Sequence, residues 1–176
     1  MKDSKLIQKL HSGDKEAAGI IIERYYEDIY RFCLYMVQIE ADAYDITQET
    51  FLKFMKYGSS YKHNNLKGYL LTIARNLCFD YFRNKSQKAA ATDWEELDKH
   101  QTRTDRMAET EDAVYLKYLL KELSEDIREV VILRTYEEMR FKDIAKIMGC
   151  SLSTAKSRYR LGISQLKRMM ENEYER

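Results

Sequence analysis

The side chains most suited to chemistry in this sequence are hydroxyls and cations near its carboxyl end. Between Ser151 and Met170 there are five Lys or Arg residues and no Asp or Glu. Such groups bind phosphates and hydrogen-bond to base edges. No Ser/His/Asp or Cys/His constellation, phosphate loop or metal-ligating cluster is visible in the sequence, so an enzyme is the least favoured class. The predicted outward-facing residues of this stretch are Ser153, Thr154, Lys156, Ser157 and Arg160.

These side chains are positioned by a pattern of two helices joined by a tight turn. Ile144, Ala145 and Met148 share one face of a short helix. Gly149 follows and can adopt the positive φ that reverses the chain, and Ser151 then suits the N-cap of a longer basic helix. The apolar residues predicted to face inward in that helix are Ala155, Tyr159, Ile163 and Leu166. The pattern favours a helix-turn-helix that reads the major groove of DNA, and the alternative is a helical hairpin with a solvated basic face.

The composition favours an all-α protein. Its 176 residues include no proline and six glycines, and apolar residues recur at helical spacing. The net charge of +1 divides unevenly: +3 over residues 1–88 (14 basic, 11 acidic), −5 over 89–112 (3 basic, 8 acidic) and +3 over 113–176 (13 basic, 10 acidic). We therefore predict two small helical domains, 1–88 and 113–176, joined by an acidic linker at 89–112, with the helix-turn-helix in the second.

Five further helices are predicted from apolar periodicity. Their ranges are Asp14–Val37, Ala41–Lys56, Lys67–Lys85, Tyr115–Leu123 and Ser124–Tyr136. Asp42 is the predicted N-cap of the helix over Ala41–Lys56, and Met55 is predicted to face the core of the first domain. Ser124 suits the start of another helix because Glu125 and Asp126 follow it.

Two faces of the first domain stand out by composition. The first is a surface stripe at helical spacing made of Asp45, Gln48, Glu49 and Leu52. It is either solvated surface or a docking face for a basic partner. The second interleaves aromatic rings with polar and cationic residues, namely Tyr69, Thr72, Arg75, Asn76, Phe79 and Arg83. It suits unstacked bases, since rings stack on bases and cations hold phosphates, but Tyr69 and Phe79 could equally be core residues.

The sequence also indicates the cellular location of the protein. Cys33, Cys78 and Cys150 are widely spaced within apolar helical patterns, which favours buried free thiols in a reducing cytoplasm over a metal site or a disulfide. The polar, acid-containing N-terminal stretch does not resemble a signal peptide. No apolar run approaches the roughly 18 residues of a membrane-spanning helix, so direct membrane insertion is not expected.

Three segments of the sequence resemble the extracytoplasmic-function (ECF) sigma factors of bacterial RNA polymerase. They are DAYDITQETFLKFMKY (Asp42–Tyr57), LKGYLLTIARNLCFDYFRNK (Leu66–Lys85) and LSEDIREVVILRTYEEMRFKDIAKIMGCSLSTAKSRYR (Leu123–Arg160). Their order, around a linker of this length, makes the resemblance specific. It implies a factor that gives core polymerase promoter specificity and helps to open the duplex.

The resemblance also implies partners and contact residues. Asp45, Gln48, Glu49 and Leu52 would dock on the clamp helices of the polymerase β′ subunit, and the β flap is a further expected partner. The single-stranded −10 element would contact Lys62, His63, Asn64, Asn65, Tyr69, Arg75, Asn76 and Arg83. The −35 element would contact Ser153, Thr154, Lys156, Ser157, Arg158 and Arg160. An anti-sigma factor is an expected partner, and no cofactor or metal is implied.

Two other functions remain open from the residues alone. A stand-alone helix-turn-helix regulator would bind its own operator in duplex DNA without polymerase. A protein whose helical faces bind only other proteins would show no salt-dependent affinity for DNA.

Overall fold

The computed structural model describes residues 1–62, 65–91 and 110–174 of the chain. Every regular element in those residues is a helix, which confirms the predicted all-α class. The chain forms two compact units, Met1–His100 and Gln101–Arg176.

The first unit contains four α-helices in its described residues. They are α1 (Asp3–His11), α2 (Lys15–Val37), α3 (Glu40–Tyr57) and α4 (Leu66–Ala91), with a 3₁₀ turn at Gly58–Ser60 between the last two. Helices α2, α3 and α4 pack against one another, and α1 packs on α2. This arrangement buries one apolar stripe from each helix. The fully buried side chains include Leu6, Ile21, Ile29, Phe32, Met36, Phe54, Leu70 and Leu71.

Local signals explain where α2 begins and ends. The Asp14 side chain accepts a hydrogen bond from the Glu16 N–H at 2.9 Å, which satisfies one of the free donors at the helix start. Gln38 ends the helix in the left-handed conformation with φ 69°, and its N–H donates to the Leu34 carbonyl. Both bounds agree closely with the predicted range.

Helix α3 differs from its prediction in two respects. It begins at Glu40, so Asp42 lies in the first turn instead of capping the helix, and its carboxylate accepts a hydrogen bond from the Tyr81 hydroxyl at 2.8 Å. That bond ties α3 to α4, and burial together with Asp42 raises the pKa of Tyr81. Met55 is 52% exposed, and the prediction that it faces inward is wrong, because the buried stripe runs through Thr47, Phe51 and their neighbours.

The second unit contains α5 (Glu111–Lys121), α6 (Glu125–Thr135), α7 (Phe141–Met148) and α8 (Leu152–Tyr174). Helix α8 packs mainly on α6 and α7. The fully buried side chains of this unit include Leu120, Val130, Ile132, Leu133, Ile144 and Ala155.

The ends of the predicted acidic linker are helical. Residues 89–91 belong to α4, and residues 111–112 belong to α5. Alanine continues a helix readily, and the acids at 111–112 favour the start of one, so both helices extend past the change of composition that marked the linker. The remainder of the predicted linker lies outside the described residues.

A buried arginine joins α6 to the end of α5. The Arg128 Nε donates to the Leu120 carbonyl at 2.8 Å, and Nη2 donates to the carbonyls of Lys121 and Leu123 at 3.1 and 3.2 Å. Burial lowers the pKa of Arg128 from its ordinary value. These bonds satisfy carbonyls that the end of α5 leaves without an intrahelical partner. Ser124, predicted to start α6, occupies the cap position but makes no side-chain cap bond.

Gly162 lets α8 approach α6 closely. A Cβ at this position would lie 2.6 Å from the Val131 Cγ2 atom and 2.8 Å from the Ile127 Cγ2 atom. Both atoms belong to β-branched side chains that have little freedom to move away. Helix α8 continues unbroken through this glycine to Tyr174.

Substituting Gly162 by Ala is therefore expected to lower the free energy of unfolding by about 1 kcal/mol, measured by urea titration. The overpacking term, about 1–3 kcal/mol, exceeds the gain in helix propensity, about 1 kcal/mol. Gly19→Ala is the matched control, because nothing lies within 4 Å of a Cβ built there. It should stabilise the protein, and a stabilising effect of both substitutions would contradict the proposed close packing.

Candidate nucleic-acid and docking surfaces

The turn between α7 and α8 has the geometry that the sequence predicts for a helix-turn-helix. Gly149 has φ 63°, in the left-handed region, and the Cys150 N–H donates to the Ala145 carbonyl at 3.0 Å. The Ser151 Oγ then accepts a hydrogen bond from the Thr154 N–H at 3.1 Å, which caps α8. The turn thus fixes the direction in which α8 leaves α7.

Helix α8 presents a polar face opposite its buried side. Four of its predicted contact residues are exposed, namely Ser153, Lys156, Ser157 and Arg160. Within the residues that the structure describes, Lys156 and Arg160 form no ion pair with an acidic side chain. Two cations are therefore available to a ligand along one side of the helix. The two exposed hydroxyls make local hydrogen bonds, Ser153 with the Ser151 hydroxyl and Ser157 with the Thr154 carbonyl, each at 3.1 Å.

The other two predicted α8 residues take part in contacts inside the unit. Thr154 is half-buried, and its Oγ1 accepts a hydrogen bond from the Ser151 hydroxyl at 2.8 Å. Arg158 is also half-buried, and its Nη2 lies 3.6 Å from the Asp126 Oδ2 atom of α6. Their proximity to the turn and to α6 places them at the margin of the exposed face.

The thiols divide between core and turn. Cys33 and Cys78 are buried free thiols, as predicted. Cys150 is only half-buried, so the prediction of burial is wrong there. It lies in the turn between α7 and α8, where the chain leaves the apolar face of α7.

The α3 surface brings together the four residues of the predicted docking stripe. Asp45, Gln48 and Glu49 are exposed, and Leu52 is 60% exposed. In the described part of the chain, neither acid pairs with a cation. The sequence interpretation missed two neighbours, Tyr44 at 50% and Met55 at 52% exposure. Tyr44 could have been assigned to this surface from the sequence, because Tyr44, Gln48 and Leu52 are spaced i, i+4 and i+8 along one face of the helix.

We define the α3 face as Tyr44, Asp45, Gln48, Glu49, Leu52 and Met55. It combines exposed apolar side chains with two acids that pair with no cation in the part of the chain that the structure describes. Clustered apolar exposure on a helix is typical of an interaction surface, and the acids favour a basic partner.

The polar side of α4 is partly organised by its own contacts. The Arg75 guanidinium lies over the Phe79 ring at 4.3 Å, and Arg83 forms an ion pair with Asp80. Asn76 is exposed between them. Since ring and cation are already stacked, Phe79 and Arg75 form one preorganised surface rather than separate groups.

Tyr69 belongs partly to the core. Its ring centroid lies 4.7 Å from that of Tyr61 and 6.3 Å from that of Phe54, and its side chain is half-buried. Tyr61 is buried, and burial raises its pKa to about 12. The aromatic cluster therefore fixes the position of Tyr69 while leaving part of the ring accessible.

The loop before α4 is only partly described. Lys62 is exposed, whereas His63 and Asn64, both predicted DNA contacts, lie outside the described residues. The Asn65 Oδ1 accepts a hydrogen bond from the Gly68 N–H at 2.9 Å, so this side chain caps α4. The sequence interpretation assigned Asn65 only to DNA, although Asn is among the favoured N-cap residues.

Replacing Asn65 by Ala should lower the free energy of unfolding by about 1 kcal/mol through loss of the cap. Chemical denaturation of the whole chain measures this. Asn65→Asp keeps a side-chain oxygen in the same place and should remain near wild type. Equal destabilisation by both substitutions would show that the cap contributes nothing.

Two family models match this chain, one within each of the two units. The Sigma-70 region 2 family model matches residues 21–88, and the Sigma-70 region 4 model matches residues 113–166. The ECF RNA polymerase sigma factor SigM of Bacillus subtilis is 30% identical over 138 residues, which span 78% of this chain and 85% of SigM. This chain is a member of the ECF sigma factors.

Other relatives of this sigma factor agree with that assignment. The ECF sigma factor BldN of Streptomyces coelicolor is 26% identical over 96% of this chain, and the match spans 66% of BldN. The sigma factor RpoE from Bartonella quintana, solved in complex with the anti-sigma factor NepR, shares the fold with a TM-score of 0.75. It is 23% identical, with 87% of this chain and 96% of RpoE covered.

Membership confirms the resemblance seen in the sequence and makes the chain an RNA polymerase sigma factor, a transcription initiation factor. A stand-alone regulator is not favoured. In the described residues of this sigma factor, no helix has the length and apolar character needed to cross a membrane.

Proposed function

We propose that this sigma factor binds core RNA polymerase, directs it to promoters through a −35 and a −10 element, and favours opening of the duplex. The observation that supports this most directly is the exposed cation and hydroxyl face of α8, oriented by the capped turn at Gly149–Ser151. Such a helix fits the major groove, where Arg binds guanine and hydroxyls bind several base edges. Its predicted contacts remain Ser153, Thr154, Lys156, Ser157, Arg158 and Arg160.

Core polymerase is the proposed partner of the α3 face. Asp45 and Glu49, which pair with no cation among the described residues, would face basic groups on the β′ clamp helices. The exposed Leu52 would be buried at the contact. The second predicted domain, residues 113–176, is the proposed partner of the β flap. Two separate attachments would place the two DNA-binding surfaces on one promoter.

We propose that the promoter duplex opens because the sigma factor binds the melted strand more tightly than the duplex. The α4 face and the loop before it would hold unstacked bases of the −10 element, with Asn76 at a base edge and Arg75 at a phosphate. A surface that binds the melted strand and not the duplex shifts the equilibrium toward the melted state. The proposed contacts are Lys62, His63, Asn64, Asn65, Tyr69, Arg75, Asn76 and Arg83.

The proposed function also has implications for where the protein acts and what regulates it. We place the protein in the cytoplasm, where promoter DNA and polymerase are found, and propose that it has no enzymatic activity of its own. Because RpoE was solved with NepR bound, an anti-sigma factor is a proposed regulator of this chain as well.

Dependence of DNA binding on core polymerase tests the proposal. Genomic promoter fragments are mixed with the sigma factor alone, core alone, or both, and separated on a native gel. We expect specific fragments to be retained only when both are present. Specific retention by the chain alone would favour the stand-alone regulator and contradict the proposed role.

Replacing Arg160 by Ala should weaken use of promoters that depend on the −35 element about tenfold. This corresponds to about 1–3 kcal/mol for one bidentate Arg–guanine contact. The measurement is transcription from a promoter with an intact or a scrambled −35 element. Core affinity should be unchanged, and Lys121→Ala, an exposed cation on α5, is the control. Equal transcription by the variant and wild type would remove Arg160 from the contact set.

A further inference from the structure

One of the predicted −35 contacts on α8 lies beside an acid of α6. The Arg158 Nη2 atom is 3.6 Å from the Asp126 Oδ2 atom, and the two side chains are 33% and 50% exposed. Lys156 and Arg160 pair with no acid among the described residues. Of the three cations proposed to contact the −35 element, Arg158 is therefore distinguished by an adjacent negative charge.

Close packing of α6 on α8 restricts the position of that charge. Gly162 lies one turn beyond Arg158 on the same face of α8, and a Cβ there would lie 2.8 Å from the Ile127 Cγ2 atom. Ile127 directly follows Asp126 in the first turn of α6. The start of α6 is thus held against this part of α8, and the short Asp126 side chain keeps its carboxylate near the guanidinium.

The ion pair orients the guanidinium without occupying its hydrogen-bond donors. A separation of 3.6 Å is too long for a hydrogen bond, and Arg158 donates none to any other residue that the structure describes. A guanidinium carries five N–H donors, which suffice for a bidentate contact with a guanine edge. Arg158 is therefore restrained in position but still able to bind a base.

The same carboxylate acts differently on contacts with the DNA backbone. It lowers the attraction of Arg158 for any phosphate, and it repels a phosphate that approaches the pair. Phosphate contacts carry no sequence information directly, whereas contacts with base edges do. An acid at this position therefore weakens the sequence-independent part of binding more than the sequence-dependent part, which increases discrimination between sites.

We propose that Asp126 is a positioning residue for recognition of the −35 element, holding Arg158 toward a base edge and away from the flanking phosphates. The inference rests on the proposed function and adds a residue of α6 to those that determine promoter specificity. Asp126 acts through Arg158, so its effect on specificity disappears when Arg158 is absent.

The test compares binding of holoenzyme to promoter fragments with an intact or a scrambled −35 element, at several salt concentrations. The promoter is one that the core-dependence assay identifies. For Asp126→Asn, we expect affinity for the scrambled fragment to rise and discrimination between the fragments to fall about fivefold, the smaller end of the effect of one bidentate base contact. On the scrambled fragment, the slope of log K against log salt should steepen by about one, because the released Arg158 neutralises a further phosphate.

Matched variants separate this effect from loss of charge and from folding. Glu125→Gln removes an acid from the neighbouring exposed position in the first turn of α6 and should keep wild-type discrimination. Asp126→Glu retains a carboxylate and should keep most of the discrimination. Urea unfolding should give similar stabilities for Asp126→Asn and Glu125→Gln, since each removes one acid near the start of the same helix.

A double-mutant cycle determines whether Asp126 acts through Arg158. Arg158→Ala should itself reduce discrimination, and the addition of Asp126→Asn should reduce it no further. The proposal would be overturned if Asp126→Asn lowered affinity equally for both fragments, or if it changed discrimination as much in the Arg158→Ala background as in wild type. Wild-type holoenzyme that does not distinguish the two fragments would instead contradict the proposed function, and this proposal with it.

Discussion

Replacing Arg128 by Met is expected to lower the free energy of unfolding of the second unit by about 3 kcal/mol. The guanidinium is buried and donates to three carbonyls, those of Leu120, Lys121 and Leu123. Met keeps much of the packed volume, so the loss reports mainly on the hydrogen bonds that the guanidinium donates. The Leu120 carbonyl retains the Leu123 N–H at 3.2 Å, which reduces the cost at that carbonyl. Hydrogen bonds from charged groups contribute about 1.5–3 kcal/mol each, and partial access of water reduces the total.

Urea unfolding of the full chain measures this effect. Arg140→Met is the control, because it makes the same change at an exposed position at the start of α7 and should change stability by less than about 0.5 kcal/mol. Arg128→Lys should fall between them, since one ammonium group cannot reproduce the planar array of donors. Equal stabilities of Arg128→Met and Arg140→Met would contradict the capping role.

Replacing Glu49 by Lys is expected to weaken binding to core polymerase by more than about tenfold. Glu49 lies at the centre of the α3 face, exposed and without a cationic partner among the described residues. If basic groups of the polymerase face it, a lysine places like charges together, which costs several kcal/mol at an interface. The fold should be unaffected because the side chain is solvent-accessible.

Core affinity is measured by fluorescence anisotropy of labelled sigma factor at two salt concentrations. Glu23→Lys, an exposed acid on α2, makes the same charge reversal outside the α3 face and should keep wild-type affinity. The defect of Glu49→Lys should diminish at high salt, where charge repulsion is screened. Equal loss in both variants would indicate a general charge effect and remove the α3 face as the docking surface.

Local patterns were sufficient to predict the helix-turn-helix. A glycine at the end of one apolar helix and a serine before the next specify their turn through backbone conformation and capping, which depend on neighbouring residues only. The structure accordingly shows Gly149 and Ser151 in the predicted roles. The α3 stripe was found in the same way, because positions four apart on a helix share a face.

Features that depend on packing between helices could not be read from spacing. The structure shows that α6 leaves no room for a Cβ at position 162 of α8, which the spacing of residues along α8 does not indicate. Arg128 has the pattern of a surface residue until α5 and α6 are brought together. Asp42 was predicted to be a cap from its neighbours in the sequence. Its actual hydrogen-bond partner, Tyr81, is 39 residues away and could not be identified from local spacing. Tertiary contacts decided each of these outcomes.

Run-off transcription with purified bacterial core polymerase tests the central claim most directly. Core is supplied with wild-type sigma factor, with Glu49→Lys, or with Arg160→Ala, on a library of promoter fragments. We expect specific initiation at a subset of fragments with wild type, loss at all of them with Glu49→Lys, and selective loss where the −35 element is required with Arg160→Ala. Transcription that is unchanged by the chain, with core shown to be active and bound to it, would contradict the account.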